Sequence, residues 1–382
     1  MPNQQSLPEK VLQQLAAQNT EKVKVAITDI DGVLRGKMIS FEKFVSIVEK
    51  GFGFCSVVFG WDANDAAYDN SAYTGWHTGY PDATAVIDLN TFRQVPWDND
   101  VPFFLADFRD SEKNDLPVCP RSLLKKIIGQ ASSAGFAASF SQEFEWFNLA
   151  DNTDELYSGK FRDIKPITPG MFGYSLQRAA RKNEYFNDLF DDLRKFGVPL
   201  EGLHTETGPG VYEAAITYSE ILEAADRAVL FKSGVKQIAC NHGVIATFMA
   251  KLNENFPGCS GHVHQSLWSK DKKNQNLFYD KKNTGGISSL MESYMAGQLA
   301  CMPFVLPMYA PVVNSYKRLV EGAWAPTTLT WGIDNRTTAL RALPGTPRST
   351  RLETRVVGSD SNPYLAMAAC LASGLYGIKN KL

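Results

Sequence analysis

Residues 204–213 read His204-Thr205-Glu206-Thr207-Gly208-Pro209-Gly210-Val211-Tyr212-Glu213, and residues 261–266 read Gly261-His262-Val263-His264-Gln265-Ser266. In the first stretch a Gly-Pro-Gly turn separates two glutamates, so a chain folding back there brings both carboxylates together despite their odd spacing. In the second, the two-residue period of a strand turns both imidazoles to one face. The chain holds five histidines (77, 204, 242, 262 and 264), and three fall inside these two segments. A lone histidine is more often a core or surface residue. A pair beside acidic residues points instead to a metal or phosphate site.

Upstream, Ser141-Gln142-Glu143-Phe144-Glu145-Trp146-Phe147 repeats the strand logic, with Glu143 and Glu145 on one face and Phe144 on the other. Two neighbouring carboxylates resist burial unless a cation compensates, and oxygen-bound divalent metals are a common solution. The alternative is an exposed edge strand with solvated glutamates. Downstream come Arg318 in Asn314-Ser315-Tyr316-Lys317-Arg318, Arg336 and Arg341 in Asn335-Arg336-Thr337-Thr338-Ala339-Leu340-Arg341, and the alternating Arg351, Glu353 and Arg355. Guanidinium groups near a carboxylate-bound metal suit phosphoryl transfer and bidentate capture of carboxylates. A salt-bridged surface sheet is the competing reading.

The chain of 382 residues is 44% hydrophobic and 12% aromatic, enough for a large core and two domains. A formal net charge of −2 without a basic block argues against a nucleic-acid partner. No apolar run is long enough to span a membrane. The N-terminus has neither a secretory apolar region nor an obvious cleavage site, and the six cysteines lack paired spacing. These features read as a soluble, cytoplasmic protein with reduced thiols. Asp29-Ile30-Asp31-Gly32 after an apolar strand looks like the nucleophile motif of haloacid-dehalogenase-type phosphatases. A strand running into a tight turn accounts for the same residues, and the α/β alternation of that fold is absent. The patterns predict helices near 8–18, 41–50, 121–134, 175–195, 217–250 and 285–300, with a strand at 23–28. Strands mixed irregularly with helices make the class α+β, with a linker near 111–120.

Taken in order, the Glu-x-Glu strand, the His-x-Glu-x-Gly-Pro-Gly-x-Tyr-Glu turn, His-x-His-x-Ser-Leu, Asn-Ser-Tyr-Lys-Arg-Leu, Asn-Arg-x4-Arg and Arg-x-Glu-x-Arg before Asn-Pro-Tyr-Leu resemble the glutamine synthetase superfamily. The resemblance runs from about Val23 to the C-terminus. It implies an N-terminal helical segment (1–20), a β-grasp-like domain (21–113) and a catalytic domain (114–382) with a curved antiparallel sheet flanked by helices. It further implies that Glu145, Glu206 and Glu213 hold one Mg2+ or Mn2+ ion and Glu143, His262 and Glu353 a second, with two to three ions per site. Arg318, Arg355 and Gly258 would meet the substrate glutamate, and Arg336 and Arg341 the phosphoryl group in transfer. His264, Ser266, Glu201, Arg341 and Arg351 would contact ATP. The implied chemistry has two steps: the γ-carboxylate attacks ATP to give γ-glutamyl phosphate, and an amine then displaces phosphate. Relatives build hexameric rings, often stacked as dodecamers, so the Phe54–Asp69 segment is expected to close a neighbouring subunit's site.

Two departures narrow the acceptor, and a third, at Pro257, bears on contacts to the amino end of the substrate. Ammonia-using members carry an Asp where Phe54-Cys55-Ser56 places Cys55, and a flap Glu before Ala-Pro where Gly322-Ala323-Trp324-Ala325-Pro326 places Trp324. Losing two acidic groups removes charge that attracts ammonium, while an indole offers an apolar or cation–π wall to a larger amine. Pro257 stands where an Asn usually precedes the matching glycine, Gly258. The pattern is similar to γ-glutamylpolyamine synthetases and related γ-glutamyl–amine ligases. The alternatives are an ordinary glutamine synthetase and a non-catalytic structural relative, the latter disfavoured by six retained ligands. Glu321 is a candidate replacement base. The chain also stops at Leu382, where bacterial-type relatives continue into further helices.

Overall fold

The computed structural model describes residues 6–62, 64–150, 153–159, 164–272, 275–283 and 285–382. The chain folds as two compact units, Met1–Leu123 with Lys195–Gly197, and Leu124–Arg194 with Val198–Leu382.

In the first unit helix α1 (Leu7–Ala17) is followed by β1 (Lys22–Thr28), β2 (Leu34–Ser40), α2 (Phe41–Ile47), β3 (Phe52–Cys55), β4 (Asp82–Val95) and β5 (Val101–Arg109). The five strands form one mixed sheet in the order β2-β1-β5-β4-β3, with β1 and β5 parallel. Val23, Val25 and Ile27 of β1 and Phe104, Ala106 and Phe108 of β5 pack into one core with Val11 and Leu15 of α1. Asp29 is part of a turn. Its Oδ1 accepts from the amides of Asp31 and Val33 at 3.0 and 2.8 Å, and its Oδ2 from Arg35 Nε at 2.9 Å. These bonds occupy the carboxylate as turn chemistry requires.

The chain continues as α3 (Pro120–Ser133), β6 (Phe136–Ala150), α4 (Thr153–Ser158), α5 (Leu176–Ala180), α6 (Asn183–Lys195), β7 (Leu200–Thr205), β8 (Val211–Ile216) and β9 (Ser219–Glu220). Then come α7 (Ile221–Asn241), β10 (Val244–Thr247), β11 (Val263–Ser269), α8 (Ser289–Tyr309), α9 (Val313–Tyr316), β12 (Trp331–Ile333), β13 (Leu340–Leu343), β14 (Arg351–Thr354) and α10 (Pro363–Asn380). Nine strands form one sheet in the order β12-β13-β14-β11-β6-β8-β7, with β9 and β10 also paired to β6. The pairing is antiparallel except for β12 with β13. The result is a mixed α/β protein with helices flanking its sheets.

Three helix expectations need correction. The 217–250 segment is helical only to Asn241, because Gly243 turns the chain at φ +61° and Val244–Thr247 then pair with β6. The 175–195 segment is two helices rather than one. The helix expected to end near 300 continues to Tyr309 with Pro303 and Pro307 inside it. Proline disfavours a helix interior by roughly 3 kcal/mol, so the tertiary setting overrides a sequence signal for termination.

Candidate active site

Strand register assembles the site. On β6 the burial alternates, with Phe144 and Trp146 fully buried. Phe144 stacks on Phe231 of α7 at 5.6 Å between ring centroids, and Trp146 lies edge-on to the same ring at 5.5 Å. Burying two such rings contributes roughly 2–3 kcal/mol each and turns Glu143 and Glu145 to the opposite face. On that face Glu145, Glu213 and His204 stand in one row across β6, β8 and β7. A second row runs from Arg341 on β13 through Glu353 on β14 to His264 on β11. The turn between β7 and β8 depends on Gly208 at φ +134° and Gly210 at φ +70°, conformations that favour glycine.

Both rows face a cavity of about 510 Å³ lined by Glu143, Glu145, Glu206, Glu213, His262, His264, Gly258, Arg318, Trp324, Arg336, Arg341, Arg351 and Arg355. Glu353 is fully buried beneath it; its carboxylate accepts from Arg341 Nη1 at 2.9 Å and from Arg355 Nη1. Gly258 has a packing reason to be glycine, since a Cβ there would collide with the Arg318 side chain. Arg318 is itself buried and donates to the carbonyls of Arg355 and Val356. A second cavity of about 400 Å³ is lined by Glu201, Tyr218, Ser266, Trp268 and Arg348, and shares Glu143, His264 and Arg351 with the first. Four of the five residues expected at ATP therefore share one cavity, while Arg341 lines the other. Cys55 lies in the first unit at the end of β3, where its thiol donates to the Tyr80 carbonyl at 3.5 Å. Glu321 is exposed and is not among the residues lining either cavity.

Among the described residues, two groups bring ligand atoms within 4.8 Å of one another: Glu143, His262 and Glu353, and His204, Glu206 and Glu213. The first is the expected trio. In the second, His204 stands where Glu145 was expected. Glu145 lines the same cavity, and its Oε2 accepts from the Ser260 amide at 2.5 Å. His204 carried a readable signal, since it alternates with Glu206 on the sequence. Tyr174 carried none: it reaches the cavity from a loop and packs on His204 at 4.6 Å between ring centroids.

The electrostatics identify what the clusters lack. Burial, reinforced by the charges of Glu143, Glu145, Glu206 and Glu353, pushes the Glu213 carboxyl up to about 10. Oε2 of Glu206 is buried with no hydrogen-bond partner. Around Glu143 burial acts against ionisation, yet the imidazoles of His264 and His262 hold it well below the ordinary carboxyl range. Burial likewise opposes ionisation of Glu353, and His262 and His264 outweigh it. Nδ1 of His264 lies 3.2 Å from Arg351 Nε, and its Nε2 lies 3.3 Å from Glu143 Oε2. An orphaned carboxylate oxygen and a proton retained to high pH beside hard oxygen donors fit a divalent cation.

The chain is similar to known proteins in sequence and in fold. Residues 117–382 match the family described as glutamine synthetase, catalytic domain. The chain is 53% identical over 372 residues to type-1 glutamine synthetase 2 of Dictyostelium discoideum, covering 97% of this chain and 71% of that protein. It is 37% identical over 374 residues to the glutamate–isopropylamine ligase of Pseudomonas sp, covering 98% of this chain and 81% of that protein. The solved GmaS/ADP complex superposes with a TM-score of 0.82 at 28% identity, covering 97% of this chain and 81% of that one. With its C-terminal 266 residues matched from Pro117 to Leu382, the chain belongs to the glutamine synthetase family.

Proposed function

We propose that this protein is an ATP- and divalent-metal-dependent ligase that joins the γ-carboxylate of glutamate to an organic amine through γ-glutamyl phosphate. The observation that carries the reading is the composition of the cleft wall. Among the described residues, every carboxylate lining it (Glu143, Glu145, Glu206 and Glu213) belongs to one of the two rows or to one of the two ligand clusters, and the flap contributes Ala323 and Trp324 instead of an acid. Such a wall suits an amine with an apolar part. The names of relatives agree, since the Pseudomonas protein is an isopropylamine ligase. The Dictyostelium relative is named a glutamine synthetase, which keeps ammonia as the second reading.

In this reading Arg318 and Arg355 orient the glutamate carboxylates, with Gly258 leaving room for Arg318. Arg336 and Arg341 offset charge on the phosphoryl group in transfer, worth several kcal/mol in a dry cleft. Ser266, His264, Glu201 and Arg351 hold the nucleotide. Mg2+ or Mn2+, held by Glu143, His262 and Glu353 and by Glu206 and Glu213 with Glu145 or His204, would supply Lewis-acid charge to the phosphates. The experiment uses glutamate labelled with oxygen-18 in its γ-carboxylate. The label is expected in the released phosphate; its retention in full by the product would exclude the acyl-phosphate route.

A pH prediction follows from Glu213. Its folded value of about 10 is raised, so its contribution to stability is fully present below the ordinary carboxyl pKa of about 4.5 and is lost as pH rises towards 10. The metal-free protein should therefore melt at progressively lower temperature from about pH 6 to about pH 9. Cation binding should release up to one proton, with affinity tightening up to about ten-fold per pH unit. Titration calorimetry in buffers of different ionisation enthalpy reads this, and Glu213→Gln should abolish the release. A pH-independent affinity would contradict it.

The two compact units we assign to a β-grasp-like domain and a catalytic domain, with the boundary near 113–123. We further propose hexameric rings, stacked as dodecamers, in which the Phe54–Asp69 segment, with Cys55, completes a neighbouring subunit's site; Ala63 lies outside the described residues. Sedimentation should find activity only in the ring fractions, and an active monomer would refute the arrangement.

A further inference from the structure

Asp334 stands one residue beyond β12, beside Arg341 on the neighbouring β13. Its backbone is left-handed, at φ +48°, a conformation that Asp and Asn tolerate better than other residues bearing a Cβ. Its amide N–H donates to the Ala342 carbonyl at 2.9 Å and holds the bend. The bend delivers the carboxylate to Arg341. Oδ1 accepts from Nε at 3.1 Å and from Nη2 at 2.5 Å, while the third guanidinium nitrogen, Nη1, donates to Glu353 Oε2 at 2.9 Å. All three nitrogens of one guanidinium are thus held by two carboxylates.

The Asp334 side chain is 65% exposed and that of Arg341 only 12%. An exposed carboxylate contributes little to fold stability, so stability does not account for a strained backbone there. Geometry does. An ungripped arginine samples many rotamers and must be ordered when its ligand arrives. A guanidinium fixed on two sides presents one orientation to the cavity it lines. We infer that Asp334 is a positioning residue, which clamps Arg341 in the orientation that receives the transferring phosphoryl group. The inference rests on the reading of Arg341 as a phosphoryl-binding residue.

Two variants separate the clamp from the backbone, because both suit a left-handed conformation. Asp334→Asn keeps an acceptor oxygen for Arg341; Asp334→Gly removes it and relaxes the bend. Binding of AMP-PNP and of ADP is measured on the full-length protein with Mg2+, alongside phosphate release with glutamate and isopropylamine. Asp334→Gly should weaken AMP-PNP about ten-fold and ADP by no more than about two-fold, with Tm at or above that of wild type. Asp334→Asn should recover most of the AMP-PNP affinity. Should wild type bind both nucleotides yet turn over no amine, the ligase reading fails while the nucleotide comparison still decides the clamp. Equal weakening of both nucleotides, no change in either, an Asn variant as weak as the Gly variant, or a wild type that binds neither nucleotide overturns the inference.

Discussion

Glu353→Gln is expected to lower turnover by about two decades or more while leaving a folded protein. Gln keeps the shape of the side chain and one acceptor oxygen, but removes the negative charge that faces Arg341, Arg355 and His262. Glu353 is fully buried, so the surrounding cations have little water to turn to. Breaking a buried pair in this way costs roughly 3–5 kcal/mol. A loss of charge stabilisation that size at a phosphoryl-transfer site corresponds to about two to three and a half decades in rate. Retention of Mn2+ by the Glu143–His262–Glu353 cluster, read by electron paramagnetic resonance, should fall in parallel. Wild-type-like turnover in this variant would remove Glu353 from the machinery.

The second large effect belongs to Trp324. Its backbone lies at φ +56° and its carbonyl accepts from Arg355 Nη2 at 3.3 Å, so the segment is tied to the arginine proposed to bind glutamate. The indole is 68% exposed and lines the cavity. Trp324→Glu replaces a stacking wall, worth roughly 0.5–2 kcal/mol to an organic cation, with a carboxylate that contributes on the order of 1.5–3 kcal/mol to an ammonium ion. The ratio of kcat/KM for ammonium over that for isopropylamine should therefore rise by about one to two decades. An unchanged ratio would show that Trp324 does not face the acceptor.

Much of this site was legible because strand period survives in the sequence. Glu143 with Glu145, His262 with His264, and Arg351 with Glu353 and Arg355 alternate, and the structure places each set on one face. Register between strands is not written in any one strand. The rows Arg341–Glu353–His264 and Glu145–Glu213–His204 arise from long-range pairing, which local pattern does not encode. That is why His204, read only as part of a motif, emerges beside Glu206 and Glu213. Tyr174 and Asp334 were missed for a different reason. Both sit at left-handed backbone positions outside regular elements, where periodicity carries no information. In the fold, Gly243 ended a helix that the apolar pattern extended, and α8 passed two prolines because packing outweighs propensity.

Steady-state kinetics of the wild-type protein test most directly whether the acceptor is an organic amine. With saturating glutamate and Mg2+-ATP, kcat/KM is compared for ammonium, methylamine, isopropylamine, ethanolamine, putrescine, spermidine and aniline. Burying each methylene contributes about 0.8 kcal/mol, so at least one organic amine should exceed ammonium by about ten-fold or more. Ammonium preferred over every amine in the series would contradict the claim and make the protein an ordinary glutamine synthetase.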